Sequence, residues 1–451
     1  MKPEDPRQLE NPTLSVDNSA QLACELAKQL EYKGEYEKAR KALSAYWPRI
    51  GEHPRTQDLS PNMAAEVLLR AGVLTSNIGG KSQISDAQET AKNLISESLT
   101  IFESLKDRRK IAEAQTELAL CYWRTGERDE ARDLLQDALV RLPKDSDVKA
   151  KAVIRLAIVE RAPDKAVRIL TNHAALFEKI ENHTLKGSYH VTLADRLENL
   201  GESQKRGDYI DRALIEYAAA SYHFEQAEHK VYLANVENNL GFLYFKINRC
   251  DEAHEHLDHA RHVYVSLKEN VAIAQLDETR AGVFLKEGRV TEAERAARSS
   301  VRGLEKSGRQ ALLSEALITH GRALARQGSH RASFSAFRRA IELAQDLGSE
   351  DAAREAALAA FQEIGDHITV SENGKLVSGR GLSTSGRGLT EEIRSFEHEV
   401  IKRALANAGG SVTHAARVLG MSYQALSYML QTRHKDLLER RTPVKRRPRK
   451  Q

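Results

Sequence analysis

The C-terminal segment 411–435 concentrates side chains that can hydrogen-bond to nucleic-acid bases and phosphates. Hydroxyl and amide groups read base edges, while arginine and lysine neutralise phosphates. The candidate contact residues are Thr413, His414, Arg417, Ser422, Tyr423, Gln424, Ser427, Tyr428, Gln431, Arg433 and Lys435. Side chains with this task need rigid elements that present them together.

Local signals predict two short helices in this segment. Ser411 follows two glycines and can cap a first helix, which Gly420 is suited to end because glycine tolerates the left-handed conformation. Ser422 can cap a second helix, in which Leu426 and Leu430 share one buried face. The pattern is that of a helix-turn-helix, whose second helix enters the DNA major groove.

A longer amphipathic helix precedes this pair. Its apolar positions recur at steps of three and four residues, and they are Ile393, Phe396, Val400, Ile401, Ala404 and Leu405. The three helices together predict a compact unit.

The stretch from about Ser395 to Arg433 resembles the C-terminal DNA-binding domain of the Fis family, which also ends NtrC-type enhancer-binding regulators. The shared features are Ala408-Gly409-Gly410, Ala415-Ala416, Leu419-Gly420, Ser422 and the Leu426/Leu430 pair. The resemblance implies a helix from Ser422 to about Thr432 in the major groove of double-stranded DNA, and a homodimer formed through residues 392–407. Dimers of this kind read symmetric half-sites.

The chain departs from this family where DNA contacts are usually made. Tyr423, Ala425, Ser427 and Tyr428 stand where family members tend to carry Arg, Thr or Lys. The sequence specificity of the family is therefore not transferable, and phosphate attraction must come from other cations. The segment 440–450 holds seven basic residues in eleven, and residues 390–451 carry a net charge of +7 against −3 for residues 1–389. A basic tail favours nucleic-acid contact, with a solvated extension as the alternative.

The rest of the chain is dominated by internal repetition. A turn followed by alanine recurs after Gly34, Gly126, Asn248, Gly288 and Gly328, and the last three positions are 40 residues apart. Each turn joins two helix-like runs, which indicates an array of helix pairs.

These runs resemble tetratricopeptide repeats (TPR), with small residues at the helix crossings and large ones in the seam. The predicted fold is all-α, with a TPR superhelix of about eight helical-pair repeats and a small C-terminal three-helix Fis-type domain. The resemblance implies a groove that binds a protein or peptide and no catalytic machinery. Candidate groove residues are Asn199, Asn235, Asn238, Asn239 and Lys246. The asparagines are equally consistent with capping or bridging helices.

Other patterns that suggest chemistry are weaker. Four histidines between residues 254 and 262 lack a metal-binding spacing, so a solvated helix explains them and no metal is expected. Gly79-Gly80-Lys81-Ser82 lacks the first glycine of a phosphate-binding loop and is interpreted as an inter-repeat turn. Cys24, Cys121 and Cys250 lie far apart on predicted helices. We therefore interpret them as small core residues of a protein in a reducing compartment, and not as disulfides or metal ligands. No cofactor is expected.

Composition sets the predicted boundaries: a disordered N-terminus at 1–18, the repeats at 19–364, a Gly/Ser-rich linker at 365–389, the Fis-type domain at 390–438 and the basic tail at 439–451. Residues 368–377 could form a small hairpin. Neither a leader nor a long apolar window is evident, so we expect a cytoplasmic protein without membrane insertion.

The sequence thus predicts a non-enzymatic, sequence-specific DNA-binding transcriptional regulator of bacterial type, whose repeat body binds a protein or peptide. The alternative is a non-enzymatic interaction scaffold whose C-terminal unit docks on protein and whose basic tail contacts RNA or ribosomes.

Overall fold

The structure is a computed structural model that describes residues 15–82, 84, 86–365, 389–419 and 421–440. All regular secondary structure within these ranges is helical. The predicted hairpin at 368–377, nearly all of the linker, Gly420 and the tail beyond residue 440 lie outside them.

The chain divides into two compact units, residues 1–243 and 244–451. The helices of the first unit are α1 Val16–Tyr32, α2 Tyr36–Ala42, α3 Pro61–Ser82, α4 Ala87–Ser104, α5 Arg108–Thr125, α6 Arg128–Arg141, α7 Asp147–Val159, α8 Pro163–Asn172, α9 Ala174–Lys179, α10 His183–Gln204, α11 Gly207–Gln226 and most of α12 Lys230–Lys246.

The second unit holds the remaining repeat helices and the C-terminal helices. Its elements are α13 Cys250–Ser266, α14 Asn270–Lys286, α15 Val290–Ser307, α16 Gln310–Arg326, α17 His330–Asp346, α18 Glu350–Gly365, α19 Leu389–Asn407, α20 Val412–Val418, α21 Tyr423–Thr432 and a 3-10 helix Lys435–Arg440. Leaving out the short α9, the helices from α1 to α17 fall in eight consecutive pairs along the chain, as the repeat pattern predicts.

A module of 20 residues accounts for the regular part of the array. From α12 onward the helices begin at residues 230, 250, 270, 290, 310, 330 and 350. Each begins two residues after a residue with positive φ, at positions 228, 248, 268, 288, 308, 328 and 348. A left-handed residue at this place ends the preceding helix and reverses the chain. Two modules make the 40-residue period seen in the sequence.

Small residues let paired helices approach closely. A Cβ added to Gly321 of α16 would lie 2.8 Å from the ring of Phe337 in α17, and one added to Gly187 of α10 would lie 2.7 Å from Phe224 in α11. Ala253 and Ala260 of α13 are fully buried. These contacts confirm the seam of small and large residues that the repeats predict.

Two details of the sequence interpretation are wrong. Gly79-Gly80-Lys81-Ser82 is not an inter-repeat turn, because α3 continues through it to Ser82. A Cβ on Gly79 would lie 2.1 Å from the Cβ of Ala87, so the missing side chain at Gly79 leaves room for the start of α4. The predicted disordered boundary at residue 18 falls inside α1, which Ser15 caps by accepting a hydrogen bond from the Asn18 amide.

The first unit closes on itself through the loop between α1 and α2. The Thr184 hydroxyl of α10 donates to the carbonyl of Tyr32 at 2.9 Å. Gly34, with φ of +72°, lies against the ring of His229, where an added Cβ would come within 2.6 Å. Burial raises the pKa of Tyr36, and the nearby Tyr232 raises it further. Segments almost 200 residues apart in sequence therefore meet directly.

Candidate DNA-binding surface and partner-binding residues

The C-terminal helices are held by their own hydrophobic core. Its buried residues come from α19 and the turn after it, from α20, from α21 and from the 3-10 helix, and they are Ile401, Ala404, Leu405, Ala408, Ala415, Ala416, Leu426, Met429, Leu430 and Leu437. Ala416 is 2% exposed, and this small side chain allows α20 to pack closely on its neighbours. The predicted three-helix unit is confirmed.

Local signals in the sequence set the helix ends. Gly409 and Gly410 take positive φ values of 56° and 81° after α19. The hydroxyl of Ser411 accepts a hydrogen bond from the His414 amide at 3.3 Å, and that of Ser422 accepts one from the Ala425 amide at 3.1 Å. Both serines therefore cap their helices as predicted.

The candidate DNA-contacting residues lie mostly on the exposed side of this unit. Tyr423 and Tyr428 are 47% and 61% exposed, large fractions for aromatic side chains. The remaining candidates are exposed or half-buried: Thr413, His414, Arg417, Ser422, Gln424, Gln431 and Lys435 are exposed, and Ser427 and Arg433 are half-buried. The amide of Gln431 donates to the Ser427 hydroxyl at 3.4 Å. α21 thus presents an uncharged polar and aromatic face opposite its buried leucines.

Sequence reasoning missed the element that follows α21. The 3-10 helix buries Leu437, which is 1% exposed, and the preceding His434 is equally buried. His398 of α19 hydrogen-bonds to Asp436 and thereby lowers the pKa of that carboxyl group. The Leu437-Leu438 pair was the signal in the sequence for this fourth packing element.

The predicted groove asparagines have different environments. Asn199 of α10 and Asn235 of α12 are exposed, whereas Asn238 and Asn239 are half-buried. Within the described part of the chain, the Oδ1 atom of Asn238 is buried and accepts no hydrogen bond. Lys246 is exposed and belongs to the second unit.

A network of buried ion pairs joins the first helices of four successive pairs in the first unit, and no pattern in the sequence indicated it. Arg70 of α3 is 1% exposed. Its guanidinium contacts Glu31 of α1 at 3.3 Å and Glu113 of α5 at 3.0 Å. Glu117 contacts Lys151 of α7 at 3.0 Å.

Burial and charge act in opposite directions on these groups. Burial raises the pKa of Glu113, but Arg70 and Lys28 lower it further, so the net pKa lies well below the ordinary value. Burial likewise raises the pKa of Glu117, and Arg155 and Lys151 more than reverse this effect. Both carboxylates are therefore charged in the folded protein at neutral pH.

The histidines of α13 have partners within the repeats. His254 contacts the carboxylate of Glu287 at 3.0 Å, and the ring of His256 stacks on Tyr244. Neither is fully solvated, in contrast to the sequence interpretation. In the part of the chain that the structure describes, no three His, Cys, Asp or Glu side chains form an arrangement that could hold a metal ion.

Comparison with known proteins adds evidence for the C-terminal unit. Residues 392–431 match the family model described as bacterial regulatory protein, Fis family. The matched segment covers most of α19, all of α20 and nearly all of α21, so the Fis-type resemblance is confirmed for this unit. No curated protein matches the chain.

Solved structures resemble the helical array. A Rap protein complexed with competence and sporulation factor has a TM-score of 0.55 at 12% identity, over 76% of this chain and 90% of that chain. The apo form of the quorum sensor NprR from B. thuringiensis has a TM-score of 0.52 at 12% identity, over 74% of this chain and 89% of that chain. At this identity the likeness shows the fold alone, a tetratricopeptide-like helical repeat.

Among the described helices, none combines the length and the apolar character needed to cross a membrane.

Proposed function

We propose that this protein is a sequence-specific DNA-binding transcriptional regulator whose repeat body binds a protein or peptide partner. The observation that carries the proposal is the Fis-type unit, in which capped helices on a buried core present the exposed face of α21. Helices held in this way read base edges in the major groove.

The composition of α21 defines how it reads DNA. Tyr423, Gln424 and Tyr428 offer hydroxyl and amide groups to bases. The helix carries no arginine, the side chain that forms a bidentate pair of hydrogen bonds with guanine. Attraction to phosphates is assigned to Arg417, to Lys435 and to the basic tail. Specificity and electrostatic affinity are thus separated along the chain.

The partner-binding role is supported by the repeat body. The Rap protein with a similar fold was solved in complex with competence and sporulation factor. In this chain the side chains of Asn199 and Asn235 are exposed, so their amide groups can reach the backbone of a partner.

Three further features belong to the same proposal. The protein acts as a homodimer through residues 392–407, because a two-fold symmetric reader matches symmetric half-sites. Its place is the cytoplasm, where a bacterial regulator meets its DNA. Binding of the partner changes the affinity for DNA.

The test of the DNA-binding role begins with recovery of bound genomic DNA by the full chain, which gives a candidate site for mobility-shift titration. Replacement of Tyr423 and Tyr428 by alanine should abolish specific binding and leave non-specific binding intact. Deletion of residues 441–451 should weaken both and reduce the dependence of affinity on salt.

Equal loss of specific and non-specific binding in the tyrosine variant would contradict the assignment of α21. Recovery of RNA or ribosomes instead of DNA favours the interaction scaffold. If no candidate partner changes the affinity for DNA, the proposed effect of partner binding on DNA binding is refuted.

A further inference from the structure

The exposed face of α21 has a centre, which the buried leucines define. Leu426 is 0% exposed and Leu430 is 1% exposed. Gln424 and Tyr428 each stand two residues from Leu426, roughly half a helical turn, so both side chains project away from the core. Tyr423 stands three residues from Leu426 and therefore lies at the flank of this face.

The two central side chains are accessible to a ligand. Tyr428 is 61% exposed, and Gln424 is exposed as well. Within the described part of the chain, no group hydrogen-bonds to the side-chain amide of Gln424. The side-chain amide of Gln431, farther along the same face, instead donates to the Ser427 hydroxyl at 3.4 Å. Gln424 and Tyr428 can therefore contact a ligand without breaking a hydrogen bond inside the unit.

The place of these residues along α21 decides what they can reach. In a helix-turn-helix, the N-terminal part of the second helix contacts base edges in the major groove. α21 begins at Tyr423, so Gln424 belongs to its first turn and Tyr428 to its second, whereas Gln431 belongs to its last. Gln424 and Tyr428 are the central residues that lie closest to the bases in this arrangement.

The chemistry of α21 favours A·T over G·C base pairs. None of its 10 residues is charged. The helix therefore lacks the arginine or lysine that recognises guanine and the carboxylate that accepts a hydrogen bond from cytosine. A glutamine side chain forms two hydrogen bonds with one adenine, and an apolar surface contacts the methyl group of thymine. Gln424 supplies the first group, and the ring of Tyr428 supplies the second.

We propose that Gln424 and Tyr428 specify A·T base pairs in the bound site. Gln424 forms two hydrogen bonds with an adenine, at its ring nitrogen N7 and its exocyclic amine. The ring of Tyr428 covers the methyl group of a neighbouring thymine. This inference deepens the proposed DNA-binding role and rests on it, since it names the base pairs that the exposed face of α21 selects.

The test uses the full chain and a duplex that carries the site recovered from genomic DNA. Mobility-shift titrations compare this duplex with duplexes altered at one A·T pair at a time. 7-Deazaadenine replaces the N7 acceptor of adenine by a C–H group, and deoxyuridine lacks the methyl group of thymine, while both keep Watson–Crick pairing. At one adenine, 7-deazaadenine should weaken specific binding about tenfold, because the bidentate contact is lost. At a neighbouring thymine, deoxyuridine should weaken it about fourfold, as expected for one buried methyl group.

Four variants assign these effects to residues, and all of them alter exposed positions. Gln424→Ala should bind the unaltered duplex about tenfold more weakly and should no longer respond to 7-deazaadenine, because the amide that contacts N7 is gone. Tyr428→Ala should lose the response to deoxyuridine, whereas Tyr428→Phe keeps the ring and should retain it. The matched control is Gln431→Ala, which removes another exposed amide from the same helix and should keep both responses.

Each outcome decides the proposal. If specific binding is indifferent to both base analogues, the assignment of A·T pairs is overturned and the DNA-binding role stands. Responses that persist in Gln424→Ala and Tyr428→Ala, or that disappear in Gln431→Ala, overturn the choice of residues. Loss of the deoxyuridine response in Tyr428→Phe overturns the ring contact. If the full chain binds no DNA site specifically, this proposal and the DNA-binding role fail together.

Discussion

Replacement of Arg70 by methionine should destabilise the first unit strongly. Arg70 is 1% exposed and contacts Glu31, Glu66 and Glu113. Burial lowers its pKa, but the carboxylates raise it above the ordinary arginine value, so the residue is always charged. Methionine fills much of the same volume and leaves the carboxylates without their central cation. Removing one partner of a buried ion pair costs about 3–5 kcal/mol.

The structure also predicts a partial rescue. Most of the cost should come from Glu113, whose side chain is 5% exposed and would keep its charge in a buried place. Its other partners, Lys28 and Lys110, are 31% and 28% exposed and can be solvated without it. Adding Glu113→Gln to Arg70→Met should therefore recover part of the lost stability, so the double variant should be less destabilised than the sum of the two singles.

The assay is urea unfolding followed by tryptophan fluorescence, which reports on the first unit. With a slope of about 2–3 kcal/mol per molar urea, the expected loss shifts the midpoint of Arg70→Met downward by about 1–2 M. The matched control is Arg206→Met, whose ion pair with Asp208 is about half exposed and should contribute little to stability because solvent screens it. A loss below about 1 kcal/mol in Arg70→Met, or no rescue in the double variant, would refute this account of the network.

Three further predictions follow from local features. Glu117 has a lowered pKa in the folded state, so its stabilisation is present above the ordinary carboxyl pKa of 4.5 and is lost as the pH falls below it. Urea midpoints measured between pH 7 and pH 3 should fall in that window, and less steeply in Glu117→Gln. Lys205 has a φ of 54°, a conformation that glycine adopts more easily, so Lys205→Gly should raise stability by about 0.5–1 kcal/mol. Gln204→Gly, in the adjacent helical position, should instead lower stability by about 1 kcal/mol. The same urea titration measures both variants. Ser422→Ala removes the cap of α21 and should cost the Fis-type unit about 1 kcal/mol, seen as faster amide exchange in that helix, and unchanged exchange would contradict the capping role.

The C-terminal unit shows how far local signals reach. Ser411 and Ser422 cap their helices as predicted, because a cap depends on residues only three positions away. The buried face of α21 follows from the spacing of Leu426 and Leu430. The packing of His434 and Leu437 was missed because a 3-10 helix of six residues has no strong periodicity of its own.

The repeats could be predicted from the sequence equally well, because the turn and the alanine after it recur at a fixed interval. What the interval did not reveal is that Glu228 and Lys268, which lie between the repeated turns, take the same left-handed conformation as Asn248. They do so because the 20-residue module places a chain reversal there, whatever the side chain.

By itself the sequence determined the helix pairs, their period and the helix-turn-helix, since each depends on residues within one or two turns of each other. Only the tertiary structure decided which charges are buried. Arg70, Glu113 and Lys151 look like ordinary surface residues of amphipathic helices, and they become a network because helices far apart in sequence converge. The closure of Gly34 on His229 likewise depends on the summed angles of every helix pair between them, a quantity that no local pattern encodes.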